Sequence, residues 1–463
     1  MKVSPARAAA FDALLRVERD AAFATDALDS RLEEAQAKRE DAALATELVM
    51  GVLRWQRLLD FLIERYSERA VDTLDPEVLL ALRLGLYQLR FLSRVPAAAA
   101  VNESVELVKR ARKRSAAGFV NAALRRATRD PALRGPAESL LPGGLSASER
   151  LGIALSHPGW LVERWLARFG EESTRALLET NNSPPSLSAA VLDPAQTAGV
   201  MASLDAEGFE AAPGKWLSAA IELRRVPKGG AARAGAVRTG RMFFQDEASQ
   251  MVPLLLDVQP GRRVLDLCAA PGGKTARLAR QAGQPGVVAA DLHLHRLRQM
   301  RAFLQKLGAR NTYAVALNGT LPLPFGVRFE RILVDAPCSG TGTLARNPEI
   351  RWRLRPEDLP ALAEKQTALL SHALDQLAPG GRLVYSTCSL EPEENEQVVA
   401  AALAAHPGAR AVSAEAALAP HLRPGVEARA LLDAEARFRT LPWVHRTDGF
   451  FAVALERDSQ FCW

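Results

Sequence analysis

The chain has 463 residues, 48% of them hydrophobic and 24% charged, with a formal net charge of +6. That length suggests about three domains of roughly 150 residues each, and the balance is that of a globular protein with room for a sizeable core. No stretch approaches the roughly 18 consecutive apolar residues of a membrane helix, and the opening MKVSPARAAAFDALLRVERD mixes charges into its apolar pattern where a secretory signal needs an unbroken one, so a cytoplasmic protein with no membrane partner is expected.

The four cysteines are Cys268, Cys338, Cys388 and Cys462, with no CxxC pair among them. This spacing argues against a disulfide framework and against a metal site. The positive charge is concentrated. Residues 102–134 carry nine Lys/Arg (Lys109, Arg110, Arg112, Lys113, Arg114, Arg125, Arg126, Arg129 and Arg134) against three acids (Glu103, Glu106 and Asp130). Such a stripe suits a polyanion, RNA or DNA, although a solvated helix face would read the same way.

Residues 1–130 read as helices throughout. Apolar residues at Ala10, Phe11, Leu14, Leu15 and Val17 follow the i, i+3, i+4 spacing over 7–18. Similar patterns cover 42–66 and 77–91, the latter after Asp75 and Pro76, a natural N-cap and first helical position. Arg94-Val95-Pro96 breaks the pattern, and two more helices are expected over 98–112 and 118–128. Here the sequence resembles the all-helical RNA-binding fold of the antitermination factor NusB. The segments that carry the likeness are Gly85-Leu86-Tyr87-Gln88, Arg94-Val95-Pro96, Val101–Val105 and Gly118-Phe119-Val120-Asn121. Tyr87, Phe91 and Phe119 are expected to pack in its core.

The Pro- and Gly-rich stretch 131–155 reads as a linker. His157, before Pro158, suits a turn better than an RNA contact. Residues 186–240 alternate short apolar runs with glycine-rich pieces and suggest a small α+β module. Its Lys215, Arg224, Arg225, Lys228, Arg233, Arg238 and Arg241 would suit an RNA backbone, or simply water.

From 245 onward the pattern becomes βαβ. Asp246 opens a short helix as its N-cap. Strands are expected at 264–267, 287–290, 313–317, 331–334 and 382–385, with helices over 273–282, 293–307 and 356–378, the last closed by Pro379-Gly380-Gly381. Alternation of this kind argues a doubly wound parallel sheet, in which ligands bind off the carboxyl ends of the strands. Those ends carry Cys268-Ala269-Ala270-Pro271-Gly272-Gly273-Lys274, Asp291, Asn318, Asp335-Ala336-Pro337-Cys338 and Ser386-Thr387-Cys388. They should converge on one crevice.

The glycine turn lets a ligand approach the backbone and the N–H groups of a helix start. It lacks both the G-x-G-x-x-G of a dinucleotide site and the spacing of a phosphate-binding loop. Asp291, at the end of the second strand, stands where an acid grips ribose hydroxyls. An adenosine ligand without phosphates fits best, which points to S-adenosyl-L-methionine. Two cysteines at neighbouring strand ends suggest the reaction. Carbon 5 of a pyrimidine is a poor nucleophile until a thiolate adds to carbon 6, which is covalent catalysis. A general base must then remove the C5 proton, and Asp335 could hydrogen-bond the N3 edge and stabilise the adduct.

Residues 242–457 are similar to the Sun/NOL1/NOP2 family of RNA 5-methylcytosine methyltransferases, through QDEASQ (245–250), VLDLCAAPGGKT (264–275), ADLHLHRL (290–297), ILVDAPCSGTGTLARNPEIRW (332–352), LVYSTCSLEPEENEQVV (383–399) and DGFFAVALER (448–457). With the helical N-terminus, the likeness narrows to bacterial members that methylate a cytidine of small-subunit (16S) ribosomal RNA. It implies Cys388 as nucleophile and Cys338 as the group assisting product release. It implies Cys268–Lys274, Asp291, Asn318 and Asp335 around the cofactor, and Lys274 orienting polar groups near the base. The family usually has Asp where this chain has Asn318; Asn still accepts through its carbonyl oxygen, with weaker cofactor binding expected. The expected architecture is multidomain: an all-α NusB-like RNA-binding domain over 1–135, a small α+β linker module over 150–240, and an α/β Rossmann-like methyltransferase domain over 241–463. A monomer acting on 16S rRNA is expected. Two other readings stand: a catalytically inactive RNA-binding assembly factor, which intact Cys338, Cys388 and Asp335 argue against, and a methyltransferase acting on DNA or amino nitrogens, which needs no second cysteine.

Overall fold

The alanine- and leucine-rich first third of the chain folds as its periodicity demands. In the computed structural model, which describes residues 3–227 and 230–460, contacts divide the chain into two units. One comprises Met1–Pro184 together with Leu344–Leu354, the other Pro185–Thr343 together with Arg355–Trp463. Lys228 and Cys462 lie outside the described residues.

The first unit is helical: Pro5–Arg19, Ala24–Glu34, Arg39–Ser67, Pro76–Phe91, Ala97–Arg110, Ala117–Arg129, Ala147–Ala154 and Gly159–Asn182. Pro5 and Pro76 take first-turn positions where no backbone N–H is missed. Every residue from Val78 to Leu89 of helix Pro76–Phe91 is buried, which makes it the central helix. Gly51 lets helix Arg39–Ser67 approach it: a Cβ at Gly51 would stand 1.9 Å from the Tyr87 ring. Tyr87 is buried, and Phe91 and Phe119 pack against the same core, as expected.

One expectation is corrected in this unit, that of the linker, and two details are added. Helix Ala24–Glu34 was not anticipated, because it is short, polar and buries only Ala24, Ala27 and Leu28. The stretch 131–155 is not a loose linker. Asp130 caps a tight turn over Pro131–Arg134, Ser146 and Glu149 form a capping box, and Leu133, Leu140 and Leu151 are buried. His157 is fully buried, with Nδ1 2.7 Å from the Leu155 carbonyl and its ring edge-on to Trp165. Burial pushes its pKa well below the ordinary histidine value, so it is a neutral part of the core.

The return segment Leu344–Leu354 is held in this unit by Arg351, which is fully buried. Its guanidinium donates to the carbonyls of Arg54, Ser156, Asn181 and Leu344 and to Asn182 Oδ1. Burial lowers its pKa to about 9. Next to it, Trp352 Nε1 donates to the Leu53 carbonyl at 2.6 Å.

The described residues of the second unit form two sheets. The small one, of order β2-β3-β1-β4, is antiparallel and comprises β1 (Leu187–Val191), β2 (Glu210–Pro213), β3 (Ala220–Arg225) and β4 (Met242–Phe244). The large one has eight strands: β5 (Val264–Asp266), β6 (Val287–Asp291), β7 (Thr312–Ala316), β8 (Phe329–Asp335), β9 (Leu377–Thr387), β10 (Ala409–Val412), β11 (Phe438–Thr440) and β12 (Phe450–Arg457). Its order is β10-β12-β9-β8-β5-β6-β7, with β11 beside β12.

β5 to β9 are parallel, as expected. The sheet as a whole is mixed, because β12 runs antiparallel to β9, β10 and β11. Phe450–Leu455 is buried at every residue, which explains an unbroken apolar run rather than an alternating one. β9 also runs through Pro379-Gly380-Gly381, expected to lie outside it. Gly380 adopts φ +69°, and a register irregularity between Phe329 and Arg331 of the partner strand absorbs the turn-like residues. No helix among the described residues is long and apolar enough to cross a membrane.

Candidate active site

Adjacent parallel strands deliver their carboxyl ends side by side. β8 pairs with β9 so that Asp335 stands opposite Ser386. Ser386 Oγ donates to Asp335 Oδ1 at 2.7 Å, and Lys274 Nζ, from the helix after β5, donates to Asp335 Oδ2 at 2.7 Å. Lys274 also lies over the Phe450 ring, 5.3 Å from its centroid. The strand register, together with the turn after β5, thus gathers three of the expected side chains, Asp335, Ser386 and Lys274.

Three residues beyond Asp335 and two beyond Ser386 the chain presents sulfur. Cys338 Sγ and Cys388 Sγ are 3.4 Å apart and both are partly accessible. The hydrogen bond with Cys388, reinforced by desolvation, pushes the Cys338 thiol well above the usual range, so Cys338 stays protonated. The two sulfur loops interlock. Gly342 N–H donates to the Cys388 carbonyl at 2.9 Å, and Gly449 N–H to the Gly342 carbonyl at 2.8 Å. A Cβ on Gly342 would meet the Gly449 carbonyl oxygen at 2.1 Å, so only glycine passes there.

A cavity of about 440 Å³ lies beside the glycine turn. Cys268, Ala269, Ala270, Pro271, Gly272, Gly273, Lys274 and Asp335 line it, as expected. Gly272 has φ +107°, and a Cβ there would stand 2.7 Å from Met300, while one on Gly273 would crowd Phe243 and Gln245 at 3.1 Å. The turn is a cradle that side chains would fill. Burial, with Asp266, Asp335 and Asp291 nearby, pushes the Cys268 thiol well up, which leaves it unfit as a nucleophile.

Asp291 and Asn318 are not among the cavity-lining residues. Asp291 is buried at the end of β6, where it accepts from the N–H groups of Ala270 and His293 and faces Arg296 at 3.6 Å. It thereby steadies the glycine turn. Asn318 is exposed, and its Oδ1 accepts from Thr320.

The structure adds residues that were not singled out. Phe243, Phe244, Gln245 and Ser249 form one wall of the cavity, Gln299 and Phe303 another. Asp266 closes it from within: it is fully buried, Thr275 Oγ1 donates to its Oδ2 at 2.7 Å, and its Oδ1 has no partner. Burial raises its pKa to about 7. Gln245 and Ser249 sit inside the QDEASQ segment, so that motif marked the wall without revealing its purpose.

Three family descriptions match the chain: 16S rRNA methyltransferase RsmB/F over residues 253–456, NusB family over 4–129, and RsmF/B-like ferredoxin-like domain over 157–227. The probable ribosomal RNA small subunit methyltransferase B of Bacillus subtilis (strain 168) is 32% identical over 462 residues, covering 99% of this chain and 100% of that protein. The chain belongs to the RsmB/F family of 16S rRNA methyltransferases. The ribosomal RNA small subunit methyltransferase B of Pseudomonas putida is 36% identical over 414 residues, 87% of this chain and 90% of that protein. Among solved structures, a methyltransferase homologue from Pyrococcus horikoshii is 30% identical with a TM-score of 0.57, over 68% of this chain and all of that one. The structure of PH0851 superposes with a TM-score of 0.81 over 99% of this chain and all of that one, at 24% identity, a likeness of fold. The RsmB/F chain therefore carries the NusB-like helical part and the Rossmann-like methyltransferase sheet that the sequence led us to expect, and its expected small α+β module is ferredoxin-like.

Proposed function

We propose that this chain methylates carbon 5 of a cytidine in 16S rRNA through a transient bond between Cys388 and carbon 6. The observation that carries the reading is the pair of sulfur atoms 3.4 Å apart beside the Lys274–Asp335 ion pair. An enzyme that methylates an exocyclic nitrogen has no use for two such thiols. The functional division would follow the expected one: RNA capture by 1–135 and 150–240, chemistry by 241–463, in a cytoplasmic monomer.

The cavity fits S-adenosylmethionine. Its volume is in the range of small-molecule sites, its glycines clear space against the turn, and the unpartnered Asp266 Oδ1 offers an acceptor to a cationic amino group. Residues 268–274, Asp266 and Asp335 would hold the cofactor, with Asp291 and Asn318 at the next strand ends serving the nucleoside. When bound it supplies an electrophilic methyl group on a sulfonium.

The rest is done by the chain. A base presented to two thiols set at the strand ends must be turned out of its stack. Cys388, as thiolate, forms a bond to C6, and the electron pair displaced from the C5–C6 double bond makes C5 nucleophilic. Asp335, oriented by Ser386 and Lys274, faces the N3 edge, where it accepts from the exocyclic amino group of the base and stabilises the adduct. Once C5 is methylated, its proton leaves to a base, the C5–C6 double bond re-forms and the Cys388 sulfur departs as thiolate. Cys338 assists this release.

Incubation with labelled cofactor and 16S rRNA tests the assignment. Cys388→Ala is expected to abolish transfer, and Cys338→Ala to accumulate a protein–RNA adduct that survives a denaturing gel. Full activity in Cys388→Ala would overturn the role of that thiol.

A further inference from the structure

The two sulfur loops share a buried anchor that takes no part in the chemistry described above. Glu394, fully buried, follows β9 and lies between them. Its Oε1 accepts from the Ser339 N–H at 2.8 Å and from Gln366 Nε2 at 2.9 Å. Its Oε2 accepts from both the Ser339 and the Ser389 hydroxyls. Ser339 follows Cys338 directly, and Ser389 follows Cys388. One carboxylate thus grips the residue after each sulfur.

The surroundings stiffen this grip. Gln366, on helix Asp358–Asp375, also donates to the Pro337 carbonyl at 2.8 Å, just before Cys338. Tyr385 Oη donates to the Glu394 carbonyl at 2.6 Å, and Asn395 Nδ2 to the Ser389 carbonyl at 2.9 Å. Ser339, Gln366, Ser389, Glu394 and Asn395 are all buried. A carboxylate enclosed this way is stable only while its donors stay in place, so it over-determines where they sit.

We propose that Glu394 is the positioning residue of the two-thiol site, setting the separation of Cys338 and Cys388 by holding Ser339 and Ser389 on one carboxylate. Glutamine can replace it in geometry. Its carbonyl oxygen can take the two N–H donors, and its amide can donate to the two hydroxyls. Alanine can do neither. The inference rests on the two-thiol reading above, and it makes Glu394 act through other groups, never on the substrate.

The test compares wild type, Glu394→Ala and Glu394→Gln, each checked for a native melt. Misplacing reacting groups by about an ångström costs on the order of 100-fold. Glu394→Ala is therefore expected to lose about 100-fold in kcat, with the KM for RNA and the affinity for S-adenosylhomocysteine held within roughly threefold, and Glu394→Gln to return to within roughly fivefold of wild type. A kcat for Glu394→Ala within threefold of wild type would overturn the proposal, as would a glutamine variant as slow as the alanine one. Should Glu394→Ala not fold, Ser389→Ala removes only the hydroxyl on the Cys388 side; about a tenfold loss in kcat is expected there, and no loss counts against the proposal.

A second readout separates this inference from the functional reading. Diamide takes one hydrogen from each thiol and is reduced to the hydrazine as the two sulfurs join. Cys338 and Cys388 should be cross-linked roughly tenfold more slowly in Glu394→Ala than in wild type, with Glu394→Gln near the wild-type rate. If wild type transfers no methyl to RNA, the functional reading fails and the cross-linking rate still decides the positioning role; equal rates in all three overturn it.

Discussion

Asp266 concentrates the electrostatics of the cofactor side. Burial is the main reason its pKa is raised from 3.8 to about 7, and the neighbouring Asp335 adds to it while Thr275 opposes it. Because the folded value lies above the unfolded one, the fold favours the protonated form. That contribution is complete below about pH 4, is lost progressively as pH rises, and is gone above about 7. The wild-type melting temperature should therefore fall relative to Asp266→Asn between about pH 4 and 7, and the two curves should run parallel above that. A constant difference across the window would mean that the carboxyl is ionised throughout. At this scale Cys338, Cys388, Asp335 and Lys274 were legible in the sequence, because each stands beside turn residues just past a strand or at a helix start. Asp266 and Glu394 were not. Nothing in an acidic residue's neighbours along the chain says that it will be enclosed, and their roles come from partners such as Ser339 and Gln366 that are distant in sequence.

At the scale of elements, the parallel strands were legible because each is an apolar run ended by a chemical signature. β9 was taken too short, and β12 was not singled out as a strand. Pro379-Gly380-Gly381 resembles a stop, yet the bulged register of β8 accommodates it, and β12 is buried on both faces, so it has no alternation to betray it. The segment Leu344–Leu354 was quoted as part of a motif, but its residence in the helical unit rests on buried groups that the motif does not reveal, chief among them Arg351. Arg351→Ala should destabilise that unit by about 3 kcal/mol or more, since it leaves several carbonyls without a donor as well as a void. Arg351→Met refills the space and donates nothing, so the difference between the two variants in chemical denaturation separates packing from hydrogen bonding. Equal stability of wild type and Arg351→Ala would refute the anchoring.

At the scale of the whole molecule, charge and division into units matter most. The basic stripe is partly spent on internal pairing. Lys109 pairs with Glu106, Arg110 with Asp12, Lys113 with Asp75 and Arg126 with Glu68. Arg112, Arg114 and Arg129 are exposed and make no ion pair with a described residue. Composition announced the excess, and only the fold tells which cations remain for a polyanion. If those three neutralise RNA phosphates, replacing all of them with alanine should lower the slope of log Kd against log salt by about 2, at roughly 0.7 per contact on single-stranded RNA. An unchanged slope would place the RNA elsewhere.

The return of Leu344–Leu354 to the helical unit also governs how this chain can be taken apart. A gene trimmed to start after Pro184 would still encode Arg351 and Trp352 while deleting Leu53, Arg54, Ser156 and Asn181, their hosts. The fragment would be left with a homeless guanidinium and an indole stranded in water a few residues downstream of Thr343. Anyone seeking a minimal catalytic piece should expect it to aggregate unless the helical half is supplied alongside it.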